Sequence, residues 1–505
     1  FGVVGLCFFF SYSMLGQNPL SLQGAMKIAE LGSPSIKRSL LNIEQYQHSL
    51  RAERASLKSR FSLTLDPFSY SRNRQFDEQF SQWFTNTRLN SSGTFQVEQP
   101  ILKTDGSIGL FNTFGWRNNE TNIDIAGFGE NSNKAFSNNL YLVINQPLFT
   151  YNRRQMALDE LELNYENANL DYAIQRLTLE KTITSQFFDV YLAQLNLDIS
   201  REELANTAKN FDIVKDKVEA DLLAKEELYQ AELNFANAQL SVQDNELGLA
   251  NAEELFKREI GMDLDEDIQL FTELEAQEVF VDLDKAIEYA LQSRMELKQR
   301  QINIDKSLFE MERTKSVNEF RADLQLTLGI FGDNQDFGQV YNSPTSNPSV
   351  GLSLNIPIWD WGERSARIQA QEVSMKSQVL ELAEDKKQIK MDVRRSYRSV
   401  QTQMPRIEIA RKNVENAKRT YDINLERYIN GDLSGIDLNQ FQTQLSNKKI
   451  KNSLLVFDLN TILLSEIIYQ YEHLSKTNNF RIIVPNTSFY IGSDFKHKKG
   501  QIVYF

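Results

Sequence analysis

The feature that most constrains the fold is the run from Asn152 to Asp221, which contains neither proline nor glycine. Its apolar residues, such as Leu158 and Leu161, recur every three or four positions, which is typical of a helix with one packed face. A helix of this length measures about 100 Å, too long to be packed inside a compact globule. The pattern returns from Glu363 to His473, where Pro405 is expected to kink or break the helix. The sequence therefore predicts very long helices packed side by side.

The two halves of the chain are related by an internal repeat. The segment from Ser21 to Ala29 matches Asp282 to Ala290 in one register. Asn145 to Phe149 matches Asn355 to Trp359 in a second register, which continues along the long helices. The registers differ because the first half carries an insertion of about fifty residues. The sequence predicts two copies of one plan: two helices, two strands, a very long helix, a turn and a long helix.

The predicted organisation places a signal peptide, a connector and a tail around these two repeats. The ranges are 1–16 for a signal peptide whose start is missing, 17–260 for the first repeat, 261–281 for the connector, 282–474 for the second repeat and 475–505 for the tail. In the first repeat, strands are expected near 61–66 and 140–147, the insertion at 67–139, and the long helices at 152–221 and 222–260. In the second, strands are expected near 323–330 and 349–357, and the long helices at 363–430 and 434–473.

The signal peptide is expected from the apolar run Phe1–Phe10, which is followed by small and polar residues up to Gly16. An apolar core of this length is typical of a secretory signal. The run is too short to cross a bilayer as a helix. Cys7, the single cysteine, lies inside the run, so an intrachain disulfide is excluded. Attachment of a lipid to Cys7 is left open.

The predicted strands alternate apolar and polar residues, as in Phe61–Asp66 and Leu324–Leu328. The second strand of each pair ends at a proline and is followed by aromatic residues, which are Phe149, Tyr151, Trp359 and Trp361. This alternation with an aromatic rim is typical of a membrane β-barrel, although a soluble sandwich gives the same alternation. Within the insertion, Thr94–Pro100 and Ser107–Trp116 have the pattern of a further hairpin.

The composition and motifs exclude several classes of function. The net charge of −13 argues against binding to nucleic acid, which requires Lys and Arg. The mean hydropathy of −0.44 argues against a chain made of membrane-spanning helices. His48, His473 and His497 match no metal-ligand spacing. The acidic run Asp263–Asp267 lacks the glycine of a calcium loop, because Ile268 stands there. No enzyme site, cofactor or metal is expected.

The most specific motif is Arg427-Tyr-Ile-Asn-Gly431-Asp-Leu-Ser434-Gly-Ile-Asp437-Leu-Asn-Gln440. It resembles the R-Y-x-x-G-x-x-S-x-x-D turn of the TolC family of outer-membrane efflux proteins. In the first half, Leu255 to Gly261 resembles the L-x-x-x-x-[LI]-G ending of the family's corresponding helix. With the duplicated strands and long helices, the resemblance extends from about Leu20 to His473.

The resemblance implies a mainly α protein with membrane β-strands. It implies a homotrimer in which each chain gives four strands to a twelve-stranded β-barrel in the outer membrane. A helical tunnel continues the barrel into the periplasm. The implied function is a passive exit duct that is gated at its periplasmic tip, and the protein is not an enzyme. The implied partners are outer-membrane lipid, a periplasmic adaptor (membrane fusion protein) and an inner-membrane pump that supplies the energy.

The resemblance also assigns roles to individual residues of the two helix–helix turns. Asp437 would line the pore constriction, with Gln440 and its repeat partner Glu227 nearby, while Arg427, Gly431 and Asp432 would hold the closed tip. Leu433 and Ser434 would dock the adaptor, and Phe149, Tyr151, Trp359 and Trp361 would lie at the membrane interface. A competing interpretation of Asp437 is that its carboxylate only stabilises the start of a helix.

Two other classes of protein share some of these features. A secreted coiled-coil scaffold would also have long helices, and a periplasmic adaptor would have a helical hairpin. Neither alternative predicts two copies of a strand–strand–long-helix unit that end in proline and aromatic residues.

Overall fold

The computed structural model describes residues 20–78, 81–123, 131–271 and 281–474. The predicted signal peptide with Cys7, part of the connector, and the tail 475–505 lie outside the described residues. Eight α-helices and seven strands are present in this part of the chain. In order they are α1 (Leu22–Gly32), α2 (Pro34–Ser56), β1 (Arg60–Asp77), β2 (Gln82–Ile101), β3 (Gly106–Ile123), β4 (Asn131–Leu148), α3 (Arg153–Glu219), α4 (Lys225–Ile260), α5 (Leu283–Ser293), α6 (Met295–Lys315), β5 (Arg321–Asn334), β6 (Thr345–Ser346), β7 (Ser349–Asn355), α7 (Glu363–Ile429) and α8 (Gly435–Leu474).

The internal repeat is visible in the bounds of these elements. The helices α1 and α5 begin at Leu22 and Leu283, and the strands β1 and β5 begin at Arg60 and Arg321, so both pairs lie 261 positions apart. The two helix starts are capped in the same way. The Ser21 hydroxyl accepts a hydrogen bond from the backbone N–H of Gly24, and the Asp282 carboxylate accepts from two backbone N–H groups. Such caps satisfy N–H groups that have no partner inside the helix.

The helices α3 and α7 have 67 residues each, and they begin at Arg153 and Glu363, 210 positions apart. The helix α7 continues through Pro405, so the prediction of a break at this residue is wrong. An interior proline costs about 3 kcal/mol. Here Val400 and Ile407, on either side of it, are buried against Val456 and Leu459 of α8. Burial of such side chains, at about 1.5–3 kcal/mol each, offsets the cost of the proline.

The described chain forms two compact units. One contains residues 42–169 and 299–382, and its centre is a seven-stranded antiparallel sheet with the order β1-β2-β3-β4-β5-β6. The strand β7 also pairs with β5. The predicted mixture of long helices and an antiparallel sheet is confirmed.

The sheet contains the four predicted strands as β1, β4, β5 and β7, and it adds the hairpin β2–β3 and the short β6. In the described part of the insertion 67–139, β1 and β4 extend beyond their predicted bounds, and the hairpin β2–β3 is inserted between them. The predicted hairpin is confirmed and is longer than expected. The sequence pattern missed the outer parts of these strands because runs of polar residues interrupt their apolar alternation.

The other unit comprises the described residues up to 41, with 170–298 and those from 383 onward. Its main apolar core joins α1 to α3 and α4. Phe187 of α3 and Phe256 of α4 are fully buried there, with their ring centroids 6.0 Å apart in an edge-to-face arrangement. The small residues Ala25 and Ala29 of α1 are also fully buried, which allows the helix backbone to approach this core closely.

The end of α4 depends on Gly261. The helix ends at Ile260, as the sequence predicts, and Gly261 adopts the left-handed conformation with φ 77°. A Cβ atom at this position would lie 2.4 Å from the backbone of Gly32. A glycine is therefore required here both for the backbone conformation and for the close approach of the two segments.

Candidate functional site

The two helix–helix turns, α3–α4 and α7–α8, have the same backbone geometry. Asp221 and Gly431 both adopt positive φ angles, of 58° and 87°. In each turn the next backbone N–H bonds back to a helix carbonyl, from Leu222 to Lys217 at 2.8 Å and from Asp432 to Arg427 at 2.9 Å. This left-handed conformation favours glycine, which is the residue found in the second turn. The first turn has Asp221 in the same place.

The following helices begin differently in the two turns. The Ser434 hydroxyl accepts a hydrogen bond from the backbone N–H of Asp437 at 3.2 Å and donates one to the Asp437 carboxylate at 2.8 Å. Ala224 occupies the equivalent position before α4 and forms no side-chain cap. Asp437 is exposed. Its carboxylate stabilises the start of α8, and this geometry leaves it accessible to solvent.

The other predicted site residues lie around these turns. Gln440 is exposed and Glu227 is half-buried. Arg427 donates a hydrogen bond to the side-chain oxygen of Asn424 at 3.4 Å. Within the described chain it forms no ion pair with Asp432, so any such pair between copies stays a prediction. Asp432 and Ser434 are exposed and Leu433 is half-buried, which leaves the predicted docking residues at the surface.

A hydrogen bond links α7 to α3 beside the second turn. The hydroxyl of the buried Tyr428 donates to the side-chain oxygen of Asn210, and the Lys217 ammonium lies 5.5 Å from the centre of the Tyr428 ring. Burial, with the nearby charge of Glu227, raises the pKa of the Tyr428 hydroxyl, so the hydroxyl remains a donor at neutral pH. Tyr428 belongs to the predicted turn motif, whereas Asn210 and Lys217 lie in α3 and carry no sequence signal that would predict this contact.

The contacts around Tyr428 form a polar seam, defined here as Asn206, Asn210, Tyr428 and Gln442. The Asn206 amide lies 3.4 Å from the Gln442 side-chain oxygen, and Tyr428 and Gln442 are buried. Water can replace the partners of such groups when helices separate, so the net free energy of each bond is only about 0.5–1.5 kcal/mol. This seam can therefore open at a lower cost than the apolar core around Phe187.

The sheet carries an apolar band on one of its faces. Leu142 of β4 lies opposite Leu328 of β5, and Ile144 lies opposite Leu326, which in turn lies opposite Val350 of β7. Residues directly opposite each other share a face of the sheet. The neighbouring positions Val143, Thr327 and Ser349, on the other face, are less apolar. This one-sided band has the alternation of a strand that contacts lipid on one face.

The predicted interface aromatics follow the ends of the strands. Phe149 comes directly after β4, and Trp359 and Trp361 follow β7. All three are exposed, with 89% of the Trp361 surface accessible, whereas Tyr151 is half-buried. The rings of Trp359 and Trp361 contact each other edge to face, at 5.6 Å between centroids. Their position at a membrane interface stays a prediction.

The described residues contain neither a membrane-spanning helix nor a metal-binding cluster. No helix among residues 20–78, 81–123, 131–271 and 281–474 is both long and apolar enough to cross a membrane. The same residues contain no group of three or more His, Cys, Asp or Glu side chains that could hold a metal ion.

Comparison with known families identifies the chain. Residues 286–457, which extend from α5 into α8 and include the turn at Gly431, match the family described as "Outer membrane efflux protein". The matched residues include the turn motif that carries the resemblance. The efflux protein is therefore a channel of the outer membrane that extends into the periplasm, and its family is not one of enzymes. This outcome confirms the resemblance and excludes the scaffold and the adaptor.

Solved structures share the fold of the efflux protein. The Campylobacter jejuni CmeC outer membrane channel matches with a TM-score of 0.65 and 14% identity, over 90% of this chain and 88% of that one. The outer membrane protein VceC from Vibrio cholerae matches with a TM-score of 0.63 and 12% identity, over 89% of this chain and 95% of that one. The Neisseria gonorrhoeae MtrE outer membrane channel, solved in an open state, matches with a TM-score of 0.59 and 14% identity, over 90% and 89%. No curated protein sequence matches the chain.

Proposed function

We propose that this efflux protein is the passive exit duct of a tripartite export system, gated at the turns α3–α4 and α7–α8. The polar seam around Tyr428 is the observation that carries the proposal. A gate must be stable when closed and must open at moderate cost, and a set of weak polar contacts between helices meets both requirements. MtrE, which shares this fold, was solved in an open state. This description implies that MtrE has more than one state.

The proposed working form is a homotrimer, and the edges of the sheet support it. Within the described chain, β1 pairs only with β2 and β7 pairs only with β5. Each edge therefore leaves backbone N–H and C=O groups without partners. Unpaired edges are not tolerated in the hydrocarbon of a membrane, so a closed ring is required. Pairing β1 of one copy with β7 of the next would close the ring with head-to-tail interfaces.

The proposed pore constriction is acidic. Three copies would bring three Asp437 carboxylates together, with Glu227 as a second source of negative charge and the neutral Gln440 one turn along α8. A ring of carboxylates favours the passage of cations. Because Ser434 bonds to the Asp437 carboxylate without neutralising it, the capping role and the pore role of Asp437 are compatible.

The proposed partners are a periplasmic adaptor and an inner-membrane pump. Leu433 and Ser434 would contact the adaptor, and contact there would strain the adjacent seam and open the gate. In the closed trimer, Arg427 and Asp432 of neighbouring copies would form weak ion pairs, since exposed pairs contribute about 1 kcal/mol or less.

Single-channel recording in planar bilayers tests this proposal. We expect small, cation-selective current steps from the trimer. The substitution Asp437→Asn should reduce the cation preference, and it retains an oxygen that can accept from Ser434, so the start of α8 is kept. Unchanged selectivity in this variant would leave Asp437 with the capping role alone.

The gate is tested separately with Tyr428→Phe. This variant removes the hydroxyl that bonds to Asn210, and we expect the ratio of open to closed times to rise about 2- to 13-fold per copy. The matched control is Tyr421→Phe, two turns earlier in α7, where the hydroxyl has no hydrogen bond within the described chain. Equal behaviour of the two variants would contradict the gating role of the seam.

A further inference from the structure

The inserted hairpin β2–β3 is an integral part of the sheet. The strand β2 pairs with β1 along its length, from Arg60 opposite Glu98 to Phe76 opposite Trp83. The strand β3 pairs with β4, from Ser107 opposite Asn145 onward. Because the hairpin is hydrogen-bonded on both sides, removing it would leave β1 without its partner and β4 paired only with β5.

The apolar band of the sheet continues in register across this hairpin. A single row crosses five strands and consists of Phe61, Val97, Leu110, Leu142 and Leu328. Residues in such a row share one face. Phe61 is 67% exposed and Leu110 is 41% exposed, although both are large and apolar.

The other face of the hairpin is more polar. Gln96 and Thr94 of β2 alternate with the apolar residues of the band, and the hydroxyl groups of Thr94 and Thr113 lie 3.0 Å apart. Phe111 of β3 also lies on this face and stacks on Tyr141 of β4 with centroids 4.9 Å apart. The hairpin therefore has the same two-sided character as β4 and β5.

The band is limited in height. Further along the strands, the band is interrupted by polar rows on both faces of the hairpin. Two adjacent rows there are Arg72, Thr87 and Glu120, and Asn73, Asn86 and Thr121. The apolar part of β4 runs from Leu140 to Leu148, which is close to the roughly 9–11 residues that cross the hydrocarbon of a bilayer.

The turn of the hairpin is fixed where β4 leads into α3. The buried Asp105 carboxylate pairs with Arg153 at 2.8 Å and Arg154 at 3.2 Å. The side chain of Gln146 donates to the backbone oxygen of Thr104 at 2.8 Å. These contacts hold the turn at the level where the neighbouring strand ends.

We infer that the apolar face of β2–β3 contacts the hydrocarbon of the outer membrane, so that each chain contributes six strands to the barrel, which are β1, β2, β3, β4, β5 and β7. This inference rests on the proposed function, in which three copies close the ring. The occupant of the face is the lipid acyl chain, because the face continues the band of β4, β5 and β7 in register and at the same height. A hairpin adds two antiparallel strands, so β4 keeps its direction and the strand number stays even.

The consequence is a barrel of eighteen strands in the trimer. Barrel diameter grows roughly linearly with the number of strands, so the lumen would be about 1.5 times as wide as in a twelve-stranded barrel. Barrels of this size leave an open aqueous channel. At the outer membrane, the exit would then admit bulkier solutes than the width of a twelve-stranded barrel allows.

Quenching by brominated lipid tests the inference. Single cysteines at Val97 and Leu110 on the band, and at Gln96 and Thr113 on the other face, are introduced into the full chain with Cys7→Ser. Each purified trimer is labelled with bimane and reconstituted in vesicles whose phosphatidylcholine is brominated in its acyl chains. Cysteines at Leu142 and Leu328 report on the strands that the proposed function already places in the membrane.

We expect the labels at Val97 and Leu110 to be quenched as strongly as those at Leu142 and Leu328, and the labels at Gln96 and Thr113 to be quenched at most half as much. Quenching at Leu142 and Leu328 without quenching at Val97 and Leu110 would overturn the inference alone. No quenching at any position would overturn the proposed function as well. Counting strands in trimers imaged along the barrel axis by electron cryo-microscopy gives an independent result: eighteen supports the inference, and twelve overturns it.

Discussion

The hydroxyl of Tyr428, near the end of α7, donates a hydrogen bond to the side-chain oxygen of Asn210 in α3. The two residues are separated by most of the second repeat and the whole of α4, yet this bond ties the two longest helices together beside the turn at Gly431. Lys217 adds a cation–π contact from the same side. The bond is therefore the first target for perturbing the proposed gate.

A double-mutant cycle measures the coupling between these residues. We expect Tyr428→Phe and Asn210→Ala each to favour the open state, and the double variant to add little to either. The expected coupling is about 0.5–1.5 kcal/mol, the net free energy of one hydrogen bond. The open-to-closed ratio from single-channel records gives the value. Strictly additive effects would show that the two side chains act independently.

The turn of the inserted hairpin should depend on Asp105. This residue has φ 58°, a conformation that asparagine also tolerates, so Asp105→Asn removes the charge without straining the backbone. The loss of the pairs with Arg153 and Arg154 should lower the free energy of unfolding by about 1–3 kcal/mol. Thermal unfolding followed by circular dichroism measures the change. The exposed Asp265→Asn is the control, and an equal effect of both variants would contradict the anchoring role.

Gly261 should be irreplaceable. The variant Gly261→Ala places a Cβ in the left-handed region and 2.4 Å from the backbone of Gly32, so we expect a loss of more than about 1–2 kcal/mol. The control is Gly248→Ala in the middle of α4, where an added Cβ meets nothing within 4 Å. There we expect a gain of about 0.5–1 kcal/mol from helix propensity. Melting temperatures that shift in the same direction would refute this contrast.

Two adjacent positions in β2 should respond differently to a positive charge. Val97→Arg would place an arginine on the band, at a cost of about 2–4 kcal/mol near the bilayer midplane. Gln96→Arg would place it on the opposite face, where substitutions change selectivity more than stability. The amount of folded trimer recovered from outer membranes is the measurement. Equal recovery of the two variants would argue against lipid on the band.

The stability should also depend on pH through Glu203. Burial raises the pKa of this carboxyl, so the folded chain favours its protonated form. The contribution of Glu203 to the free energy of unfolding is therefore greatest below the unfolded pKa of about 4.3. It falls as the pH rises through the raised folded pKa. Glu203→Gln should raise the melting temperature at pH 7.5 and leave it nearly unchanged at pH 4. Glu202→Gln, which loses an exposed ion pair with Lys449, should give no such rise.

The sequence predicted well wherever local chemistry decides the structure. The ends of α3 and α7 lie within two residues of the predicted ends, because a long run of apolar residues at helical spacing is a strong local signal for a helix. The ends at Gly261 and Gly431 follow from the left-handed conformation that glycine adopts freely. Pro405 is an exception to this rule, because a proline inside a helix predicts a break that does not occur. Packing of Val400 and Ile407 against α8 offsets the cost of the proline.

The sequence by itself determined the duplicated plan, the long helices, the strand alternation and the turn motif. Each of these depends on the spacing of residues that are close together in the chain. The tertiary structure decided what depends on partners distant in the chain. It extended β1 and β4 through polar stretches, because their hydrogen bonds come from β2 and β3 and need no apolar pattern. It also brought Asn210 to Tyr428 and Asp105 to Arg153, since such pairs are fixed by packing that no local spacing records.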